Sequence, residues 1–222
     1  MSTLDLITYP DKDLLVMGLA DRLSANLKST LLTHEHVSFA VAGGTSPGPV
    51  FKLLSAVSLD WDRVTVLPTD ERCVPPDHAR SNARLIRETL LQGRASAARF
   101  QPLFTDAQSS DQVSASVAKL APISVALLGM GADMHTASLF PGADGLSAAL
   151  DADAPAIVPV HPADQPEARL SLSGPILQGA LRTHLLITGL EKRAALEKAT
   201  TRPVPEAPVR LIFETATFHW SE

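Results

Sequence analysis

Val37-Ser-Phe-Ala-Val-Ala-Gly-Gly-Thr-Ser-Pro-Gly48 decides the fold. A short β-rich run stops on two glycines, and Pro47, a residue favoured in a helix's first turn, opens a helical stretch over Val50 to Val57. The phrase of strand, polar or glycine turn, then helix spreads outward from there. Upstream, Lys12 to Leu32 places Leu14, Leu15, Met17, Leu19, Leu23 and Leu27 at helical spacing. Downstream, Arg63-Val-Thr-Val-Leu67 runs into Thr69-Asp-Glu-Arg72, after which Ser81 or Asn82 caps a helix over Ala83 to Leu91 closed by Gly93. Ile123-Ser-Val-Ala-Leu-Leu128 runs into Gly129-Met-Gly131. Arg169-Leu-Ser-Leu172, a helix near Pro175 to Leu181, Thr183-His-Leu-Leu-Ile-Thr188, a helix from Glu191 to Ala199 and the apolar run Val209-Arg-Leu-Ile-Phe213 complete the series.

Near-continuous apolar strands alternating with helices predict an α/β fold: a mostly parallel, Rossmann-like sheet with helices on both faces, in three α/β/α layers. Ligands of such sheets lie at the carboxyl ends of the strands. Gly43 to Pro47, Thr69 to Arg72 and Gly129 to His135 should therefore gather at one edge. No repeat, low-complexity tract or linker interrupts the chain. The segment from Ala143 to Pro166 is merely loop-rich, so residues 1–222 are expected to form a single domain.

Composition narrows the function. With 222 residues, 45% hydrophobic and 19% charged, the chain is long enough to bury a core without staples. One cysteine, Cys73, removes any disulfide framework and suits a reducing compartment. The first residues lack a basic stretch followed by an apolar one, and no segment is apolar enough to span a membrane. The expectation is a cytoplasmic protein. A formal charge of −5, from 19 basic against 24 acidic residues, argues against nucleic acid, and 5% aromatics argue against stacking on single strands. Any phosphate bound should be small.

Gly44-Thr-Ser-Pro-Gly48 satisfies a nucleophile-elbow pattern, yet the residue after the serine is Pro47, which has no N–H to offer an oxyanion. Gly43 and Gly48 have P-loop spacing, but Pro49 and Val50 stand where Lys and Ser/Thr are needed. A glycine turn with two hydroxyls at a helix start remains, a place that attracts an anion. Asp70 and Arg72 at a strand's end are residues that acid–base chemistry on a phosphorylated ligand would use. His135 follows a glycine turn, has Asp133 two residues before it and sits where a helix should begin. Its ordinary pKa near ~6.5 suits proton transfer near neutrality. His34, His36, His78, His161, His184 and His219 are taken as structural, and no further His or Cys at matched spacing suggests a metal.

Taken together, Ala42-Gly-Gly-Thr-Ser-Pro47, Asp70-Glu-Arg72 with Pro75, Ser81 and Asn82, Gly129-Met-Gly-Ala-Asp-Met-His-Thr-Ala-Ser-Leu-Phe-Pro-Gly142, Arg169-Leu-Ser-Leu172 and Gly189-Leu-Glu-Lys192 resemble the 6-phosphogluconolactonase family, whose relatives include glucosamine-6-phosphate deaminases. The resemblance covers nearly the whole chain. It implies hydrolysis of 6-phosphoglucono-1,5-lactone, a step of the oxidative pentose phosphate pathway, without metal or organic cofactor, by a monomer or homodimer. It also implies that His135 is the catalytic base with Asp133 beside it and Asp70 in the catalytic group. Gly43, Gly44, Thr45 and Ser46 resemble the phosphate turn, and Arg169 and Lys192 its cationic partners. Arg72 serves the phosphate or the carbonyl oxygen.

Three positions depart from the family pattern. Met134 stands where Gly is common, Thr45-Ser46 reverses a frequent Ser-Thr order, and the tail Phe218-His-Trp-Ser-Glu222 lacks an Asp-Ala ending. A deaminase would carry a further acidic residue shortly after the histidine, and Ser138-Leu-Phe-Pro141 has none. The other alternative is a non-catalytic sugar-phosphate-binding module, though the chain has no basic DNA-reading segment of the kind such regulators carry.

Overall fold

The computed structural model describes residues 4–105, 107–163 and 165–222. In chain order they form β1 (Asp5–Thr8), α1 (Lys12–Leu31), β2 (Val37–Val41), α2 (Gly48–Ser55), β3 (Val64–Pro68), β4 (Asp70–Arg72), α3 (Asn82–Thr89), β5 (Arg99–Phe100) and α4 (Ser110–Ala118). Then come β6 (Val125–Gly129), α5 (Leu146–Leu150), β7 (Ile157–Val160), β8 (Arg169–Leu172), α6 (Gly174–Gln178), β9 (Thr183–Thr188), α7 (Leu190–Ala199) and β10 (Ala216–Ser221). Seven strands make one sheet in the order β1-β10-β9-β6-β2-β3-β5, and every pairing in it is parallel.

Alternation along the strands explains the layers. On β2, Val37, Phe39 and Val41 point to one core and Ala40 to the other; on β6, Val125 and Leu127 divide from Ala126 and Leu128 in the same way. The first core is closed by Leu15, Leu19, Leu23 and Leu27 of α1, Phe51 of α2 and Ile86 of α3. The second is closed by Val113 and Val117 of α4, Leu177 of α6 and Leu196 of α7. A parallel sheet buried on both faces needs this cover, and each large apolar side chain so buried contributes roughly 1.5–3 kcal/mol.

Five expectations are corrected. Val209 to Phe213 is no strand: Pro208–Ile212 is a 3-10 helix, and the strand is the tail itself, β10, which fills the sheet between β1 and β9. Arg169 to Leu172 does not join the parallel sheet. It is the centre of a separate antiparallel sheet, β4-β8-β7, in which Arg72 pairs with Arg169 and Asp70 with Ser171. Thr69 to Arg72 is accordingly strand in all but its first residue, and the loop-rich 143–166 segment contributes α5 and β7. No helix begins at His135: the chain after β6 makes tight turns, with Met134 N donating to Gly131 O at 3.0 Å and Leu139 N to Thr136 O at 3.0 Å.

Met134 sits in that turn with φ 69°, a left-handed conformation that a side chain disfavours. Its thioether is buried in the second core, and its carbonyl accepts from Val209 N at 3.1 Å. Burial thus offsets strain at the position where glycine was expected.

Beneath α1 runs a buried hydrogen-bonded chain: Asn26 Nδ2 to His184 Nε2 at 2.7 Å, His184 Nδ1 to His219 Nε2 at 2.9 Å, and His219 Nδ1 to Tyr9 Oη at 2.9 Å. The Asn26 amide nitrogen can only donate, so His184 Nε2 and then His219 Nε2 accept, each imidazole carries its proton on Nδ1 and both are neutral. Burial first, then Arg22, push His184 down to about 4; burial, then His184 itself, push His219 down to about 3. Asp5 opposes the shift at His184, and Arg182 adds to it.

Two outcomes follow from these features. Because the unfolded imidazoles take up protons below about pH 6.5 and the folded ones do not, stability is complete above that value and falls as pH drops toward 4. Melting temperature should decline from about pH 6.5 to about pH 5, above the ordinary carboxylate range, and a flat profile would refute the neutral pair. At Met134, the usual order of alanine above glycine by about 0.5–1 kcal/mol should reverse. Denaturant unfolding of Met134→Gly and Met134→Ala should show the glycine variant to be the more stable.

Candidate active site

β9, β6, β2 and β3 are neighbours, and the chain departs from β2 toward β3 on one side and later returns to β6 on the other. That reversal opens a crevice at the strands' carboxyl ends. A cavity of about 280 Å³ lies there. Gly43, Gly44, Thr45 and Ser46 line it from the turn after β2; Asp70 and Arg72 from β4; His135 from the turn after β6; Arg169 from β8; and Lys192 from the first turn of α7. The sequence-expected residues thus converge on one cavity, Asp133 alone standing behind its wall.

The turn after β2 is built for close approach. A side chain on Gly43 would overlap the Asn82 amide, and Gly44 has φ +83°. The hydroxyls of Thr45 and Ser46 have no hydrogen-bond partner among the described residues and stand exposed at the start of α2.

β4 alternates: Asp70 and Arg72 face the cavity, and Glu71 turns the other way, where it is buried. Glu71 accepts from Arg72 N at 2.8 Å, Asn82 N at 2.8 Å, Ala83 N at 2.7 Å and Ser81 Oγ at 3.2 Å. Burial pushes its carboxyl up from the ordinary value, and the backbone N–H groups at the start of α3 pull against that shift. Its effect is to clamp β4 onto α3 and so aim Asp70 and Arg72.

Asp70 is buried and saturated with partners. Ser138 Oγ donates to its Oδ2 at 2.5 Å, Thr69 Oγ1 to its Oδ1 at 3.3 Å, and Arg169 Nη1 lies 3.7 Å from Oδ2. Arg169 is buried too, and its Nη2 donates to Gln165 Oε1 at 3.0 Å. Burial, then the neighbouring Arg72, push its pKa below the usual guanidinium value, while Asp70 draws it up. Arg72 Nη1 donates to Arg80 O at 2.5 Å. Among the described residues, the Nε atoms of Arg72 and Arg169 and Oδ1 of Asn82 have no partner. Buried polar groups without a partner are rare in folded proteins, and these three lie in side chains that line the cavity.

His135 is joined to Asp133: Nδ1 and Oδ1 are 2.5 Å apart, and the His135 backbone N–H reaches the same oxygen at 3.2 Å. Burial raises the Asp133 pKa, but the hydrogen bond and charge of His135 outweigh it and hold the carboxyl below its ordinary range. Gly131 makes room for the pair, since a Cβ there would overlap both Asp133 Oδ1 and the His135 ring. With Nδ1–H donated to the carboxylate, Nε2 is the nitrogen left free to take a proton. No group of three or more His, Cys, Asp or Glu side chains is placed to hold a metal among the described residues.

Sequence reading did not single out Glu71, Ser138 or Phe140 for a role. Glu71 carried a usable signal, the alternation that begins once Asp70–Arg72 is seen as strand. Ser138 and Phe140 carried none, because their partners Asp70 and His135 are reached only through the fold.

The family of glucosamine-6-phosphate isomerases and 6-phosphogluconolactonases matches residues 10–220. The 6-phosphogluconolactonase of Mesorhizobium japonicum is 40% identical over 214 residues, covering 94% of this chain and 90% of that protein. The 6-phosphogluconolactonase of Caulobacter vibrioides is 41% identical over 199 residues, covering 86% and 85%. A crystal structure of a 6-phosphogluconolactonase from Shewanella baltica superposes with a TM-score of 0.94 at 31% identity, covering 100% of this chain and 99% of the other. The chain belongs to the glucosamine-6-phosphate isomerase/6-phosphogluconolactonase family.

Proposed function

We propose that this protein hydrolyses 6-phospho-D-glucono-1,5-lactone to 6-phospho-D-gluconate in the oxidative pentose phosphate pathway of the cytoplasm, with His135 as general base. The observation that carries this reading is the Asp133–His135 pair set beside a cavity whose other charged groups are Arg72, Arg169 and Lys192 against Asp70. Near neutrality a neutral imidazole takes a proton, and three cations against one carboxylate favour a phosphorylated ligand.

In the proposed reaction the phosphate is held by Arg169, Lys192 and the Gly43 to Ser46 turn, at the N-terminus of α2. Fixing that remote group brings C1 of the lactone to a water beside His135, so binding serves orientation. Nε2 removes a proton from the water as its oxygen bonds to C1, and the carbonyl electron pair moves onto oxygen. The tetrahedral species then re-forms C=O and breaks the bond from C1 to the ring oxygen, which receives the proton from the imidazolium. Asp133 keeps the tautomer and stabilises the transient positive charge. The step as written calls for no metal or organic cofactor. Asp70 acts in it by holding Ser138 and Arg169.

The deaminase reading lacks its acid. Between His135 and Gly142 the candidate positions are Ser138, whose hydroxyl is committed to Asp70, and Phe140, whose ring lies against His135.

Acid release from freshly prepared lactone at mildly acidic pH, measured above the spontaneous rate, tests the reaction. His135→Ala should lower kcat by about 100-fold or more with KM nearly unchanged. A near-normal kcat would remove His135 from the role. Gly131→Ala should fold yet lose kcat by about tenfold or more, because the new methyl displaces the imidazole. Arg72→Ala separates two roles: a raised KM alone marks a phosphate contact, a lowered kcat alone marks the carbonyl oxygen. No ammonia should be released from glucosamine 6-phosphate, and ammonia release would favour the deaminase instead.

A further inference from the structure

We propose that Phe140 is a positioning residue for His135, a flat wall that stops the imidazole from swinging and so keeps Nε2 on the cavity. The inference rests on the reading of His135 as general base.

One hydrogen bond cannot fix an imidazole. With Nδ1 tethered to Asp133 at 2.5 Å, the ring still hinges about the line from Cβ to that bond, and its Nε2 sweeps an arc. Gly131 offers no side chain to limit the swing. The Phe140 ring does: its centroid is 4.1 Å from that of His135 with 33° between the planes. At that separation the two rings are in contact, tilted against each other with no room for the imidazole to swing toward Phe140.

Phe140 is itself held. Its backbone N–H reaches Ser138 O at 3.2 Å, its carbonyl accepts from Ala143 N at 3.1 Å, and Ser138 is pinned to Asp70. The Arg169 guanidinium carbon lies over the same ring, 5.8 Å from its centroid. An apolar plate is thus shared by the proposed base and a proposed phosphate-binding cation.

The test separates the ring's flat face from mere bulk. Phe140→Leu keeps an apolar side chain and should fold with an unchanged melting profile, yet lose kcat by about tenfold or more with KM within about twofold. Phe140→Tyr keeps the face and should recover most of that loss. In a His135→Ala background, Phe140→Leu should cost nothing further, since it acts through the missing imidazole. Proton NMR gives a readout apart from activity: the His135 ring protons should carry a ring-current shift in the parent protein and in Phe140→Tyr, and lose it in Phe140→Leu. Full kcat in Phe140→Leu, a change in KM alone, or an equal loss with and without His135 would each overturn the proposal. If His135→Ala itself keeps its kcat, the base reading fails, while the NMR comparison still decides whether the ring orients the imidazole.

Discussion

The Asp70 carboxylate joins parts of the chain that lie far apart in the sequence. Ser138 from the turn after β6, Arg169 from β8 and Asn82 from α3 all converge on it. A buried charge is tolerable only when its lone pairs and its charge are answered, and here a hydroxyl, an amide and a guanidinium answer both. The antiparallel β4-β8-β7 sheet can therefore sit across the carboxyl ends of the parallel sheet in one register, with the histidine turn tied to it. Glu71, on the opposite side of the same short strand, fastens that strand to α3. Two adjacent carboxylates thus divide the labour, one toward the cavity and one toward the core.

The electrostatics of the cavity run against those of the whole molecule. The chain has a formal charge of −5, yet Arg72, Arg169 and Lys192 line one cavity. Local charge in a concave, partly desolvated place outweighs the distant, solvent-screened acidic residues. Burial of Arg169 makes its charge costly to hold, and a bound anion offsets part of that cost.

Most of the parallel sheet was legible because its strands are buried on both faces and end on polar or glycine turns. Val37 to Val41, Val64 to Leu67 and Ile123 to Leu128 announce themselves by continuous apolar runs. The errors have physical causes. Val209 to Phe213 has strand composition, but Pro208 before it and packing against α6 turn it into a 3-10 helix. β10, with His219, Trp220 and Ser221, looks polar for a buried strand; His219 is satisfied inside by the Tyr9–His219–His184–Asn26 chain and Trp220 Nε1 by Gly189 O, contacts no local pattern reveals. Within the site, the charged and glycine-turn residues that line the cavity were recognisable by type and position. Their supports were not, because Ser138 and Phe140 become meaningful only next to Asp70 and His135.

The antiparallel sheet also bears on when the cavity comes into being. β4 and β8 pair Arg72 with Arg169, residues separated by much of the chain, whereas β2, β3, α2 and α3 can assemble from near neighbours. Closing so long a loop costs entropy before the pairing repays it, so contacts of this kind form late in folding. The β1–β10 pairing closes a longer loop still, so the sheet edge and the cavity wall both depend on contacts between distant parts of the chain. A chain in which the β4–β8 pairing is unmade has an incomplete cavity. Ligand binding in turn reports that both sheets have formed, and any ligand that bridges them stabilises the native state over states in which they have come apart.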